Sequence, residues 1–394
     1  LRCPSHSRQT GLDDETKAGL AWGTAAVQGG SVVGDVYPVV RVAAVQAASV
    51  FLDREACVEK ACRLILEAAD NGAKFIVFPE GFIPTHPVWY HHHPATGAIA
   101  NRLATELFKN SIEIPGPETR AIGAAARAAG AYVVMGACEK LPNTTGTMFN
   151  SQIYFGPDGS IIRKHQKIMP TVGERLVHMG GHGDTFGAFD TAFGPMSGLI
   201  CGENSNPLAV FALTAEGTRI HAMSWPNHFP TSGDPMRNRV LVDSQAFAQM
   251  SKAFVVSACG TVDEDMIARM KLSPEGEAFM RSHDCCGGSV IVGPNSRVIA
   301  GPMGAEEGIL YGDCDIELCI QMKLRHDFAG HYNRPDIFQV HVNRSAPQLY
   351  QPSGPAGETA PALPRAAGSQ DRPRLPKEPP RQLSAPRGES DETV

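Results

Sequence analysis

The chain has no apolar run long enough to span a bilayer, and Ala18 to Val33 makes a poor signal peptide: it is rich in Gly, Thr and Gln and follows Asp13-Asp14-Glu15. A membrane span is therefore not expected, and the cytoplasm is the default location. It has no excess of positive charge either. The formal net charge of -6 over 394 residues provides no basic field for nucleic acid or an anionic membrane surface, and small neutral substrates fit that indifference. Its ten cysteines lack the paired spacing of a zinc site or a small disulfide framework, and Cys285-Cys286 reads as an incidental pair. Free thiols are expected. Internal repeats are absent too, and because the chain begins at Leu1 rather than methionine, its first residues are expected to derive from a trimmed or artificially opened reading frame.

What is present is a chain long enough for a sizeable core, with the apolar content of a globular protein. Residues 1–37 are polar, Gly-rich and aperiodic and read as a flexible leader, whereas the proline-rich stretch 345–394 reads as a disordered tail. Between them, 38–344 read as one domain. Val39 to Gln46 is a strand, Asp53 caps a helix that ends at Asn71-Gly72, and Lys74 to Phe78 is a short buried strand that stops at Pro79-Glu80-Gly81. Helices are expected from Ala98 and over Glu118 to Ala129, with a strand from Tyr132 to Ala137. Asn150 to Phe155 and Ser160 to Gln166 flank a Pro-Asp-Gly turn as a hairpin, with Lys167 where the second strand runs out. Further on come strands at Ile220 to Trp225 and Ala253 to Ala258, a helix over Asn238 to Lys252, a hairpin over Ser289 to Ala300, a helix over Glu317 to Phe328 and a strand over Phe338 to Val342. Strands that alternate with helices while hairpins intrude imply an α/β or α+β layered domain with two sheets.

The stretch Met196 to Phe211 organises the rest. A short apolar strand stops at Cys201-Gly202, and Asn206-Pro207 then reads as an N-cap and first helical residue, so the thiol sits at a bend between strand and helix. Such an elbow presents a nucleophile while the Gly202 N–H faces developing negative charge. A cysteine alone in apolar surroundings is core filler. Glu80, Lys167 and Cys201, however, all stand at C-terminal ends of apolar strands, which in layered folds share one edge, and their chemistry is complementary. A thiol near pKa 8.5 needs a base to take its proton and a cation to offset the carboxylate beside it. Glu80 and Lys167 supply these. Metal chemistry is not expected from His91, His92 and His93, since three consecutive residues cannot face one ion from a regular element and no Cys, Asp or Glu stands at ligand spacing.

Three motifs together resemble the nitrilase branch of the nitrilase superfamily of carbon–nitrogen hydrolases. They are Phe78-Pro79-Glu80-Gly81-Phe82, the stretch from Arg163 through Lys167 and Thr171 to Glu174-Arg175-Leu176, and Leu199-Ile200-Cys201-Gly202-Glu203-Asn204. The resemblance implies an α-β-β-α sandwich that pairs across its outer helices into a four-layer homodimer and extends into spirals. It also implies conversion of a small nitrile to its acid and ammonia without a cofactor, through a thioimidate and a thioester. Glu80 would then be the base, Lys167 the catalytic lysine, Glu174 a second glutamate positioning substrate and lysine, and Cys201 the nucleophile. Gly202 stands where many nitrilases carry Trp, which implies a more open pocket wall. By position, Tyr90 or Trp89 and Trp225, Pro226 and Asn227 are expected to line the pocket. Two alternatives use the same triad: an amidase or N-carbamoyl hydrolase, and a cyanide hydratase. An inactive filament-forming scaffold is a further reading.

Overall fold

In the computed structural model, residues 34–229, 234–282 and 284–347 are described, so nearly all of the expected leader and tail lie outside the described residues. The unit that begins at Tyr37 contains two sheets. In the larger sheet β1 (Val39–Gln46), β2 (Phe75–Val77) and β3 (Tyr132–Lys140) run parallel, β4 (Met148–Phe155) and β5 (Ile161–Gln166) follow antiparallel, and β11 (Gly308–Asp315) pairs along the whole of β1. In the smaller sheet β6 (Met196–Ile200), β7 (Ile220–Trp225) and β8 (Phe254–Cys259) run parallel, and β9 (Val290–Val292) and β10 (Val298–Ala300) complete it as a hairpin.

The layering follows from side chains that alternate along strands buried on both faces. Val40, Val42 and Ala44 of β1 pack between the sheets, against Ile220 and Ala222 of β7 and Phe254 and Val256 of β8. Ala43 and Val45 face the other way, onto the apolar stripes of α1 (Arg54–Asp70) and α3 (Pro117–Ala129). Beyond the smaller sheet lie α4 (Pro207–Ala215) and α5 (Met236–Ser251), with Val240 and Phe247 set on Met223 and Val255. The result is an α-β-β-α sandwich. No helix among the described residues is long and apolar enough to cross a membrane.

Helix α1 illustrates how the sequence encodes its element: Asp53 accepts from the Ala56 N–H at the start, Cys57, Ala61, Leu64 and Ile65 form the buried stripe, and Gly72 turns the chain at φ 86°. Helix α2 (Ala98–Asn110) starts where its pattern predicts. Four features differ from the sequence expectation. The last helix, α8 (Glu317–Lys323), ends before Phe328, because Asp327 folds the chain into a turn by accepting from the Ala329 and Gly330 N–H groups. Phe338 to Val342 forms no strand, because its apolar side chains pack on helices instead: Phe338 and Val340 line a groove with residues of α4 and α5. Strand β11 is hidden in the sequence by two glycines and two aspartates within eight residues. The short helices α6 (Glu264–Met270) and α7 (Pro274–Met280) also escape notice, although Asp263 and Ser273 cap them.

Candidate active site

The three strand ends meet at one end of the sandwich, but they come from two sheets rather than one edge. Strand β5 runs in the same sense as β2, so Glu80 and Lys167 leave the larger sheet on the same side. Cys201 leaves β6 of the smaller sheet. The sheets are fastened where this happens: the Glu80 N–H donates to Trp225 O at 3.0 Å, and Ser224 Oγ donates to Phe78 O at 2.8 Å. Gly136 of β3 makes room for the Glu80 loop, since a Cβ there would lie 2.0 Å from Pro79 O.

Cys201 adopts a left-handed backbone with φ 52°, a conformation that costs a residue with a side chain and is held only where its surroundings impose it. Two side chains impose it. Asn204 Nδ2 donates to Cys201 O at 2.9 Å, and Glu203 clamps both flanks of the site. One Glu203 oxygen accepts from the Ile200 N–H at 2.9 Å and pairs with His165 Nε2 at 3.0 Å; the other accepts from the Ile168 N–H at 2.6 Å. A single buried carboxylate therefore ties the residue before the thiol to the residue after Lys167. Asn206 then caps α4 as its sequence predicts.

Lys167 Nζ lies 2.7 Å from Glu80 Oε1 and 2.7 Å from Glu174 Oε2, and all three side chains are buried. Asn150 Nδ2 bridges the same two carboxylates at 2.7 Å each. Glu174 also accepts from the Thr171 N–H at 2.9 Å and faces His178 Nδ1 at 3.2 Å. Glu80 Oε2, by contrast, is buried with no hydrogen-bond partner among the described residues. The two glutamates consequently diverge. Burial lifts Glu80 to about 7, against the pull of Lys167 and with the help of Glu174. Burial would raise Glu174 as well, but Lys167 and His178 outweigh it and hold that carboxyl well below the usual range. In Lys167 the two carboxylates overcome burial and keep the ammonium charged. Burial and then Glu80 push the Cys201 thiol well above its ordinary value, while Lys167 and the Gly202 N–H oppose that rise. The resting thiol is protonated.

Among the described residues, one cluster has metal-ligand geometry: Glu80, His86 and Glu174. The space between those carboxylates is taken by the Lys167 ammonium, which already supplies the compensating charge. The three consecutive histidines make different contacts: His91 packs on Tyr90, His228 and Phe229, His92 Nε2 meets His228 Nε2 at 3.2 Å, and His93 Nε2 meets Met270 O at 2.8 Å. The nine described cysteines, Cys285 and Cys286 included, are free.

Cys201 opens onto a cavity of about 340 Å³, whose walls include Thr171, Gly202, Trp225, Pro226 and Phe229. A Cβ at Gly202 would meet only Thr171 Oγ1 at 3.7 Å, so glycine here leaves wall space open rather than relieving a clash. Of the residues expected to line the pocket, Trp89, Tyr90 and Asn227 are not among its walls. The 3-10 turn Val88–His91 sends Trp89 into the core against Phe51, while Tyr90 turns toward the charges and its OH meets His86 Nε2 at 3.0 Å. Asn227 turns away and donates to Thr85 Oγ1 at 3.3 Å. Sequence reasoning missed Asn150 and His178; the signal for Asn150 was a run of polar residues, Asn150-Ser151-Gln152, inside a strand that is otherwise apolar and wholly buried.

Residues 41–324 match the family model described as carbon-nitrogen hydrolase. The chain belongs to the carbon–nitrogen hydrolase family. Within this nitrilase superfamily it is 34% identical over 308 residues to "Nitrilase 3" of an unknown prokaryotic organism, which covers 78% of this chain and 91% of the relative. It is likewise 34% identical over 317 residues to an arylacetonitrilase of Aspergillus kawachii (strain NBRC 4308), over 78% and 92%. Among solved structures, Nit3 of Saccharomyces cerevisiae, a member of branch 10 of the nitrilase superfamily, superposes with a TM-score of 0.56 at 20% identity. It covers 73% of this chain and 94% of that one, and it shares the sandwich fold. In this carbon–nitrogen hydrolase the polar cluster stands where strand ends of two sheets converge.

Proposed function

We propose that this carbon–nitrogen hydrolase is a nitrilase that converts an organic nitrile to the carboxylic acid and ammonia with Cys201 as nucleophile. The observation that carries the reading is the divergence of Glu80 and Glu174 around one lysine. It leaves a carboxylate that titrates near 7 within electrostatic reach of a protonated thiol, together with a permanently charged ammonium. Glu80 takes the thiol proton as Cys201 Sγ bonds to the nitrile carbon, and one C–N π bond breaks. The charge that develops on nitrogen is met by Lys167 and neutralised by the proton Glu80 took from the thiol, giving the thioimidate and returning Glu80 to the carboxylate. A water gives a proton to Glu80 and adds to that carbon as the remaining C–N π bond breaks and the nitrogen takes that proton; the C–N σ bond then breaks as Glu80 carries the new hydroxyl's proton to the nitrogen, which leaves as ammonia, and a thioester remains. A second water, activated the same way, breaks the C–S bond and returns the thiol. Two waters are consumed for one acid and one ammonia.

The names of the relatives support nitriles over amides or N-carbamoyl groups. A cytoplasmic location belongs to the same proposal, supported by a nucleophile that works only when reduced. So does self-association through the outer helices, supported by Leu208, Val242 and Met250 standing exposed on α4 and α5. The test is ammonia release from phenylacetonitrile, benzonitrile, a dinitrile, cyanide and the matched amides. Nitriles are expected to outrun their amides, and Cys201→Ala to release none. Faster turnover of the amides would give the protein to the amidase class.

A further inference from the structure

Thr171 stands on the wall of the cavity with Cys201 and Gly202, and the mechanism above gives it no part. Its backbone is fixed from both sides on one partner: the Thr171 N–H donates to Glu174 Oε2 at 2.9 Å, and the Glu174 N–H donates to Thr171 O at 3.0 Å. The next residue, Val172, has a left-handed backbone at φ 47°, which a β-branched residue adopts only where its surroundings impose it. Gly173 then passes so close to Tyr90 that a Cβ there would lie 2.4 Å from the ring. Strain and close approach on both sides hold Thr171 in place. Its Oγ1 faces Gly202 across open space, 3.7 Å from where a Cβ on that glycine would stand. The hydroxyl donates to no group among the described residues, so its proton is left for whatever enters that space.

The reaction develops more charge than Lys167 alone can meet. An ammonium has three N–H donors, and two of those on Lys167 are held by Glu80 and Glu174 at 2.7 Å each. One remains for the substrate, and the nitrogen takes it. Negative charge also gathers on an oxygen, first as ammonia is expelled and again as the thioester is hydrolysed. The Gly202 N–H, which lies against the Cys201 sulfur, is a single donor, whereas an oxyanion is stabilised by several.

We propose that the Thr171 hydroxyl is a catalytic hydrogen-bond donor, which together with the Gly202 N–H holds the oxygen of the tetrahedral adduct on Cys201. In thioester hydrolysis a water bonds to the acyl carbon and gives a proton to Glu80, while the carbonyl π pair moves onto the oxygen that Thr171 and Gly202 hold. That pair re-forms the C=O as the C–S bond breaks and sulfur takes the proton back from Glu80. Thr171 keeps its own proton throughout. The thioimidate step places charge on nitrogen and not on oxygen, so it proceeds without Thr171.

The inference rests on the nitrilase reading and deepens it. Its test compares wild type, Thr171→Val and Thr171→Ser on phenylacetonitrile, reading ammonia release at steady state and, by rapid quench and intact mass, the rate and extent of adduct formation on Cys201. Valine keeps the shape of threonine and both backbone bonds to Glu174, and only the hydroxyl is lost. The kcat of Thr171→Val is expected to fall by about 100-fold or more, as removal of one oxyanion donor does, while the first adduct forms within about threefold of the wild-type rate. The adduct therefore accumulates on most of the enzyme. Thr171→Ser is expected to recover kcat to within about tenfold of wild type. An unchanged kcat in Thr171→Val, or a first adduct slowed as much as turnover, would overturn the role of Thr171 and leave the nitrilase reading standing. A wild type that forms no adduct on Cys201 would overturn both.

Discussion

The two sides of this site are built differently. On the larger sheet, Lys167, Glu174 and Asn150 form a closed set of short bonds in which one oxygen of Glu80 remains open. On the smaller sheet, Cys201 opens onto a cavity whose wall carries a glycine with free space around it. Charge that must be preorganised is locked, and what selects the substrate is left for the substrate to complete. Changes on the locked side should therefore abolish chemistry, whereas changes on the open side should redistribute it among substrates.

The largest effect is expected from Lys167→Met. Removing the ammonium leaves two buried carboxylates unpaired, so kcat/KM should fall by at least about 1,000-fold. Urea unfolding should record a loss of about 3–5 kcal/mol. Cys201 should still react with iodoacetamide, and an active Lys167→Met enzyme would break the distinction between the two sides.

Next in size is the acid limb of kcat/KM. In the proposed mechanism Glu80 is ionised when it takes the thiol proton, and burial raises it to about 7, so below that pH the protonated fraction grows and activity should fall about tenfold per pH unit. Glu174 is held in the opposite direction and contributes no limb in that range. A rate that is flat down to the ordinary carboxylate range would remove Glu80 from the role of base.

Glu203→Gln should cost about 10- to 100-fold in kcat with little change in KM, since it loosens the tie between Ile200 and Ile168 without touching substrate. A KM effect alone would place Glu203 on the open side instead. The smallest overall change is expected from Gly202→Trp, which fills open wall space without a backbone clash. Total activity should stay within about tenfold while the ranking shifts toward smaller nitriles.

The sequence made the meeting of Glu80, Lys167 and Cys201 legible, because each follows the end of a strand and each chemistry needs the other two. Their division between two sheets was not legible, since strand ends carry no mark of the sheet they leave; it took the antiparallel course of β4 to bring β5 round in the sense of β2. Helices with strong caps, such as α1 and α4, stand where the cap residues placed them. Strand β11 was hidden because pairing with β1 outweighs the poor strand propensity of Gly308, Gly312, Asp313 and Asp315. The open side was read only in part. Trp225 and Pro226 follow a strand and fall on the cavity, but which of Trp89 and Tyr90 faces the charges depends on a 3-10 turn that no periodicity announces.

The most direct measurement is the mass of the intact protein quenched within one turnover of phenylacetonitrile, followed by peptide mapping. The account predicts a single adduct on Cys201, with the mass of the added nitrile or of the acyl group left after ammonia departs, that disappears as substrate is exhausted. An adduct on any other residue, or steady ammonia production by the Cys201→Ala protein, would contradict it.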